Sequence, residues 1–186
     1  MPKIAEARIL IMATNGFEQS ELEVPLNKLR ERGADVRVAS PDGKPIKGWK
    51  DKDWGTEVGA DLKISDVKVD DYIALVLPGG QINPDLLRAD EATVAKIKEF
   101  LSSGKIVAAI CHAPWLLIEA GAVKGREMTS YHSIRTDLAN AGAEVVDREV
   151  AVSDGIITSR SPKDLEAFVA KIVEEVEEGE HRRRAA

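Results

Sequence analysis

The chain contains one cysteine, Cys111, set in the segment Ala109-Ile110-Cys111-His112-Ala113. An apolar run, residues 105–110 (KIVAAI), precedes it, and a helical stretch starts near Trp115. A nucleophile displayed on a sharp strand-to-helix turn needs small residues two positions to either side, because the backbone doubles back there. The Gly-x-Ser-x-Gly elbow is the known form, and here Ala109 and Ala113 fill those places. The amino end of the following helix is expected to lower the thiol pKa. A buried core cysteine fits the same spacing, since cysteine is among the most buried residue types. The spacing leaves both readings open.

Other groups could join this chemistry. Pro78-Gly79-Gly80 ends the preceding apolar run (YIALVL), and glycines without side chains let backbone N–H groups face a developing oxyanion. Glu18, in Asn15-Gly16-Phe17-Glu18, follows the first apolar run. A carboxyl group there could hydrogen-bond a thiolate or move a proton, or simply cap the next helix. His112 follows the cysteine directly. Neighbouring side chains diverge, so its backbone N–H is the more natural contributor to an oxyanion site. His132 is the alternative base.

The elements that must carry these groups alternate. Residues 7–13 (ARILIMA) read as a buried strand. Ser20-Glu21-Leu22-Glu23 reads as a capping box opening a helix with Leu22, Leu26 and Leu29 inward, interrupted by Pro25 and stopped by Gly33. Strands are expected at 35–40, 60–65, 72–77 and 105–110, and a turn or hairpin region at 41–56. Asp90 should cap a helix with Val94, Ile97 and Leu101 on one face, ending at Gly104. Helices follow at 115–120 and around Ile134, Leu138 and Ala141, and short strands at 144–146, 149–152 and 156–158. Ser161-Pro162 opens a last helix with Leu165, Phe168, Val169, Ile172 and Val176 inward. Strands and helices in alternation imply a largely parallel sheet covered on both faces, with ligands at the carboxyl ends of the strands.

Bulk properties narrow the function classes. At 186 residues the chain fits one domain, and a domain of that length buries roughly 70% of its unfolded surface. Residues 1–178 are read as that domain and 179–186 as a charged tail holding His181 and Arg182-Arg183-Arg184. A 44% hydrophobic and 31% charged composition is that of a soluble globular protein, and a net charge of -6 disfavours a phosphate backbone as partner. No apolar run approaches the roughly 20 residues that span a bilayer. One cysteine excludes an intrachain disulfide, and with three histidines it leaves little for a structural zinc site, so no metal and no cofactor is expected. There is no Gly-x-Gly-x-x-Gly after the first strand and no phosphate-binding Gly-Lys-Ser/Thr loop. The expected location is the reducing cytoplasm.

Five stretches in order resemble the PfpI family of the class I glutamine-amidotransferase-like superfamily. They are Gly16-Phe17-Glu18 with Glu21-Leu22, Val76-Leu77-Pro78-Gly79-Gly80, Ala109 to Pro114, Thr129-Ser130-Tyr131, and Thr158-Ser159-Arg160 with Pro162, Asp164 and Leu165. The resemblance implies a flavodoxin-like three-layer sandwich with a mostly parallel central sheet. It implies Cys111 as nucleophile, Glu18 as a protonated acid touching the sulfur, and Tyr131 lining the site. It implies a homodimer or homohexamer in which His112 pairs with an acid of a neighbouring subunit, for which Asp85 is the matching residue. Members are described as intracellular cysteine peptidases, as deglycases or glyoxalases acting on methylglyoxal and glyoxal adducts, and as stress-response proteins. The substrates implied are 2-oxoaldehydes, glycated proteins or peptides. A redox-sensing or chaperone-like stress protein is the alternative. The downstream histidine of true amidotransferases has no counterpart except His181 in the tail, so glutaminase activity is not expected.

Overall fold

The computed structural model describes residues 3–179, so the charged tail beyond Gly179, with His181 and the three arginines, lies outside the described residues. The strands are β1 (Arg8–Met12), β2 (Phe17–Glu18), β3 (Asp35–Ser40), β4 (Ile46–Lys50), β5 (Asp53–Val58), β6 (Leu62–Lys63), β7 (Ala74–Leu77), β8 (Ile106–Ile110), β9 (Glu127–Met128), β10 (Glu144–Val145), β11 (Val150–Ser153) and β12 (Ile156–Ser159). The helices are α1 (Gln19–Glu31), α2 (Ile82–Arg88), α3 (Glu91–Ser102), α4 (Pro114–Glu119), α5 (Arg135–Asn140) and α6 (Leu165–Glu178).

Seven strands form the central sheet in the order β11-β12-β8-β7-β1-β3-β6. All its pairs are parallel except β11 with β12. Successive residues of a strand point to opposite faces, so a strand covered on both sides must be apolar throughout. Ile9 and Ile11 of β1 accordingly join one core with Leu22, Leu26 and Leu29 of α1 and Phe168 and Ile172 of α6. Leu10 and Met12 join the other, with Leu87 of α2, Ile97 and Phe100 of α3 and Leu116 of α4. The molecule is an α/β sandwich with a largely parallel sheet, as the alternation of elements implied, and of the flavodoxin-like kind that the family resemblance implied.

Three local readings need correction. The capping box does not form. Phe17 and Glu18 pair with Gly48 and Trp49 of β4, which keeps the chain extended to Glu18 and lets α1 start at Gln19. Ser20 therefore lies inside the helix, and its hydroxyl donates to Glu18 Oε1 at 3.1 Å. Helix α2, just beyond Gly80, was not anticipated; its Pro84 occupies the third helical position, where a missing N–H costs nothing. Helix α3 buries Thr93, Ile97 and Phe100, leaving Val94 and Leu101 only partly covered. Its cap at Asp90 is as expected: Thr93 N–H donates to Asp90 Oδ2 at 2.9 Å.

Candidate active site

Cys111 follows β8 directly and adopts φ +66°, the left-handed region that a non-glycine residue rarely occupies. Strain of this kind persists only where the surroundings hold it, and here they do. Cys111 N–H donates to Ser159 O at 3.0 Å, and Tyr131 N–H donates to Cys111 O at 2.9 Å. Ala109 and Ala113 are fully buried. The elbow expected from their size is present.

Gly79 and Gly80 lie against this elbow at the end of β7. A Cβ on Gly79 would come within 2.6 Å of Cys111 Cβ, so only glycine allows the approach. Gly80 has φ +84°, and a Cβ there would meet Gly16 O at 2.5 Å and Glu18 N at 2.7 Å. The backbone N–H groups of Gly80 and His112 both reach the Cys111 sulfur. Two converging donors of this kind suit a thiolate or an oxyanion.

The carboxyl group at the sulfur is Glu21, not Glu18. Glu21 is fully buried in the first turn of α1, its Oε2 accepts the Gly79 N–H at 2.9 Å, and its carboxyl interacts with Cys111. Burial, helped by the nearby Glu18, pushes its pKa from 4.5 to about 8. Glu18 is half-buried on the wall of the cleft, where it takes the Ser20 hydroxyl. The early start of α1 explains the exchange: its inward face carries Glu21, Leu22, Pro25, Leu26 and Leu29. A glutamate on an otherwise apolar stripe was the sequence signal for this residue.

His112 also departs from expectation. The left-handed turn at Cys111 breaks the alternation of side chains, so that His112 Nδ1 lies 3.1 Å from Cys111 Sγ. Its Nε2 lies 3.2 Å from Ser133 Oγ, a contact that sequence reasoning missed. The ring stacks on Tyr131 at 4.7 Å and meets the edge of Trp115 at 5.3 Å. Burial and the charge of His132 lower its pKa to about 4, so the imidazole is neutral at neutral pH. His132 is exposed, tilts against Tyr131 and is not at the sulfur.

The thiol does not gain the expected downward push. Helix α4 spans only six residues, and burial raises the pKa of Cys111, with the Glu21 carboxylate raising it further. Cys111 and Glu21 therefore titrate as a pair: loss of the first proton leaves an anion that the other acid can hydrogen-bond, and loss of the second is opposed by like charge.

Asp85 is exposed on α2, outside the cleft, and forms an ion pair with Arg88 at 2.6 Å. Arg88 in turn lies 4.4 Å over the Trp115 ring. Within its own chain Asp85 does not touch His112. Above the sulfur opens a cleft of about 410 Å³, walled by Glu18, Trp49, Asp51, Ile82, Tyr131 and Pro162. Trp49, Asp51 and Pro162 were not anticipated. Among the described residues no cluster of three His, Cys, Asp or Glu side chains is placed to hold a metal.

Known proteins share this arrangement of elements. A general stress protein, number 18, of Bacillus subtilis is 45% identical over 87% of this chain and 92% of its own. The deglycase PfpI of Pyrococcus furiosus is 42% identical over 89% of this chain and 97% of its own. Among solved structures, a two-domain protein from Anabaena variabilis with DJ-1/ThiJ/PfpI-like and ferritin-like domains superposes with a TM-score of 0.87 at 32% identity. That match covers 92% of this chain and 48% of the other, about half its length. The DJ-1/PfpI family model matches residues 7–175, and the chain belongs to that family.

Proposed function

We propose that this protein is a stress-related cysteine hydrolase that detoxifies 2-oxoaldehydes or removes their adducts from proteins and peptides, with Cys111 as the nucleophile. The observation that carries the reading is the Cys111 sulfur on a strained elbow, beside a buried acid and beneath two convergent N–H groups. A general acid–base is most effective when its pKa lies near the working pH, and Glu21 at about 8 meets that condition.

The steps balance without an outside oxidant or reductant. In the singly ionised pair the thiol passes its proton to the neighbouring Glu21 carboxylate, which gives the attacking thiolate and a protonated Glu21. The sulfur adds to the aldehyde carbon, the carbonyl electron pair moves onto oxygen, and Glu21 gives that oxygen its proton. In an adduct, the sulfur forms its bond to the same carbon as the C–N bond breaks, and the amine leaves with the Glu21 proton. The hydrogen on the thiohemiacetal carbon then moves to the neighbouring carbonyl oxygen, and the hydroxyl proton moves to the neighbouring carbon. The result is a thioester of a 2-hydroxy acid; water cleaves it, giving its hydroxyl to the acyl carbon and a proton back to Glu21 as the thiolate leaves. Neutral His112, with Nδ1 at 3.1 Å from the sulfur, steadies the sulfur in each state.

We place the protein in the cytoplasm, where a lone thiol stays reduced. We also propose that it acts as a homo-oligomer. Asp85 of a second subunit would then approach His112 and take Nε2 from Ser133.

Steady-state kinetics test the reading. Pure protein and the Cys111→Ser variant are compared on methylglyoxal, a methylglyoxal-modified amino acid and a peptide, in buffer free of Tris and thiols. Lactate release by the wild type alone supports it. Equal rates for the two proteins, or oxidation of Cys111 without turnover of any substrate, refute it and leave the redox-sensor reading.

A further inference from the structure

We propose that the β4–β5 hairpin tip, through Trp49 and Asp51, forms a subsite that selects a cationic group on the substrate, a guanidinium or an ammonium. This rests on the cleft being the substrate site, and it adds to that reading which adducts the cleft prefers.

The cleft wall has an uneven composition. Its acidic residues are Glu18, Glu21 and Asp51, its aromatic ones are Trp49 and Tyr131, and it has no lysine or arginine. A cation placed over an indole face near a carboxyl group gains from the ring quadrupole and from the charge together. An anionic substrate gains from neither and meets Glu18 and Asp51 at the entrance.

The pair is held in place before any ligand arrives. Trp49 stands opposite Trp54 across the hairpin, and the two rings make a T-shaped contact at 5.4 Å. The Trp49 indole N–H donates to Asp51 O at 3.2 Å, which spans the turn where Asp51 adopts φ +56°. The hairpin is tied to the helix that carries Glu21, since Thr56 N–H donates to Gln19 Oε1 at 2.9 Å. On its other side, β4 pairs in register with β2, which sets Trp49 beside Glu18. Lys50 and Lys52 flank this site in sequence, but both are exposed and neither lines the cleft. Alternation along β4 turns Lys50 to the face opposite Trp49. In the floor, Glu21 is fully buried, with Oε2 on the Gly79 N–H and the carboxyl group against Cys111.

Binding can be read apart from catalysis. The full-length Cys111→Ser protein is titrated with Nα-acetylarginine amide, with Nα-acetylcitrulline amide as its neutral isostere, and with Nα-acetylglutamate as an anion. The indole N–H resonances report binding, and the one from Trp49 is identified by its loss in Trp49→Leu. The arginine probe is expected to bind about fivefold more tightly than the citrulline probe, and the anion not measurably. Asp51→Asn and Trp49→Leu should each narrow the gap about two- to threefold, with Trp49→Phe keeping more of it than Trp49→Leu. Equal affinity for arginine and citrulline probes overturns the proposal, as does a gap that survives in both Asp51→Asn and Trp49→Leu. Preference for the cation in a protein that turns over no adduct leaves the subsite standing and removes the hydrolase reading. Turnover without the preference does the reverse.

Discussion

Glu21 supplies the sharpest quantitative test. Its folded pKa is about 8 against an ordinary 4.5, and its dominant cause is burial. The folded chain therefore holds this proton more tightly than the unfolded chain does. Its contribution to stability is complete below about pH 4.5 and is lost as pH rises through about 8. Within that window stability should fall by about 1.4 kcal/mol per pH unit, or about 3 kcal/mol between about pH 5 and pH 7. Cys111→Ser is the right background, because it removes the coupled thiol. Urea unfolding of Cys111→Ser and of Cys111→Ser/Glu21→Gln across this range isolates the term. Their stability difference should change steadily with pH, the glutamine variant gaining on the other as pH rises. Parallel curves for Cys111→Ser and the Glu21→Gln double variant would refute the reasoning, since they would mean that Glu21 ionises as freely in the folded chain as in the unfolded one.

Gly80→Ala places a Cβ against Gly16 O and Glu18 N at a residue with φ +84°, so thermal denaturation should show a loss of about 1–3 kcal/mol and turnover should fall with it. Asp90→Ala removes the acceptor for the Thr93 N–H and should cost about 1 kcal/mol by urea unfolding, with kcat/KM unchanged because α3 lies away from the cleft. Mixing inactive Cys111→Ser with inactive Asp85→Ala protein should restore part of the activity if Asp85 serves His112 of a second subunit. Light scattering must show that subunits exchanged, and no recovery after proven exchange would confine Asp85 to its ion pair with Arg88.

The sequence alone determined the architecture and the tight turn that carries Cys111. Runs such as ILIM, ALVL and IVAAI lack polar positions, and only strands covered on both faces tolerate that. Ala109 and Ala113 around Cys111, and the glycines after β7, marked the elbow through size, which sequence records directly. The partners of the sulfur were another matter. Glu18 and Glu21 differ in the sequence only by three positions, and the choice between them depends on where α1 begins. That start is set by pairing of β2 with β4, a contact between segments about 30 residues apart. His112 was misjudged because neighbouring side chains were expected to diverge, whereas φ +66° at Cys111 turns the imidazole back to the sulfur. The rise in both pKa values comes from burial, which no local pattern states. Trp49 and Asp51 lay in a stretch legible only as turn-rich, and became cleft walls when their hairpin docked beside α1. Composition and periodicity report what each segment must bury. Which carboxyl, imidazole or indole meets the sulfur is decided by contacts between distant segments, and only the tertiary structure holds those.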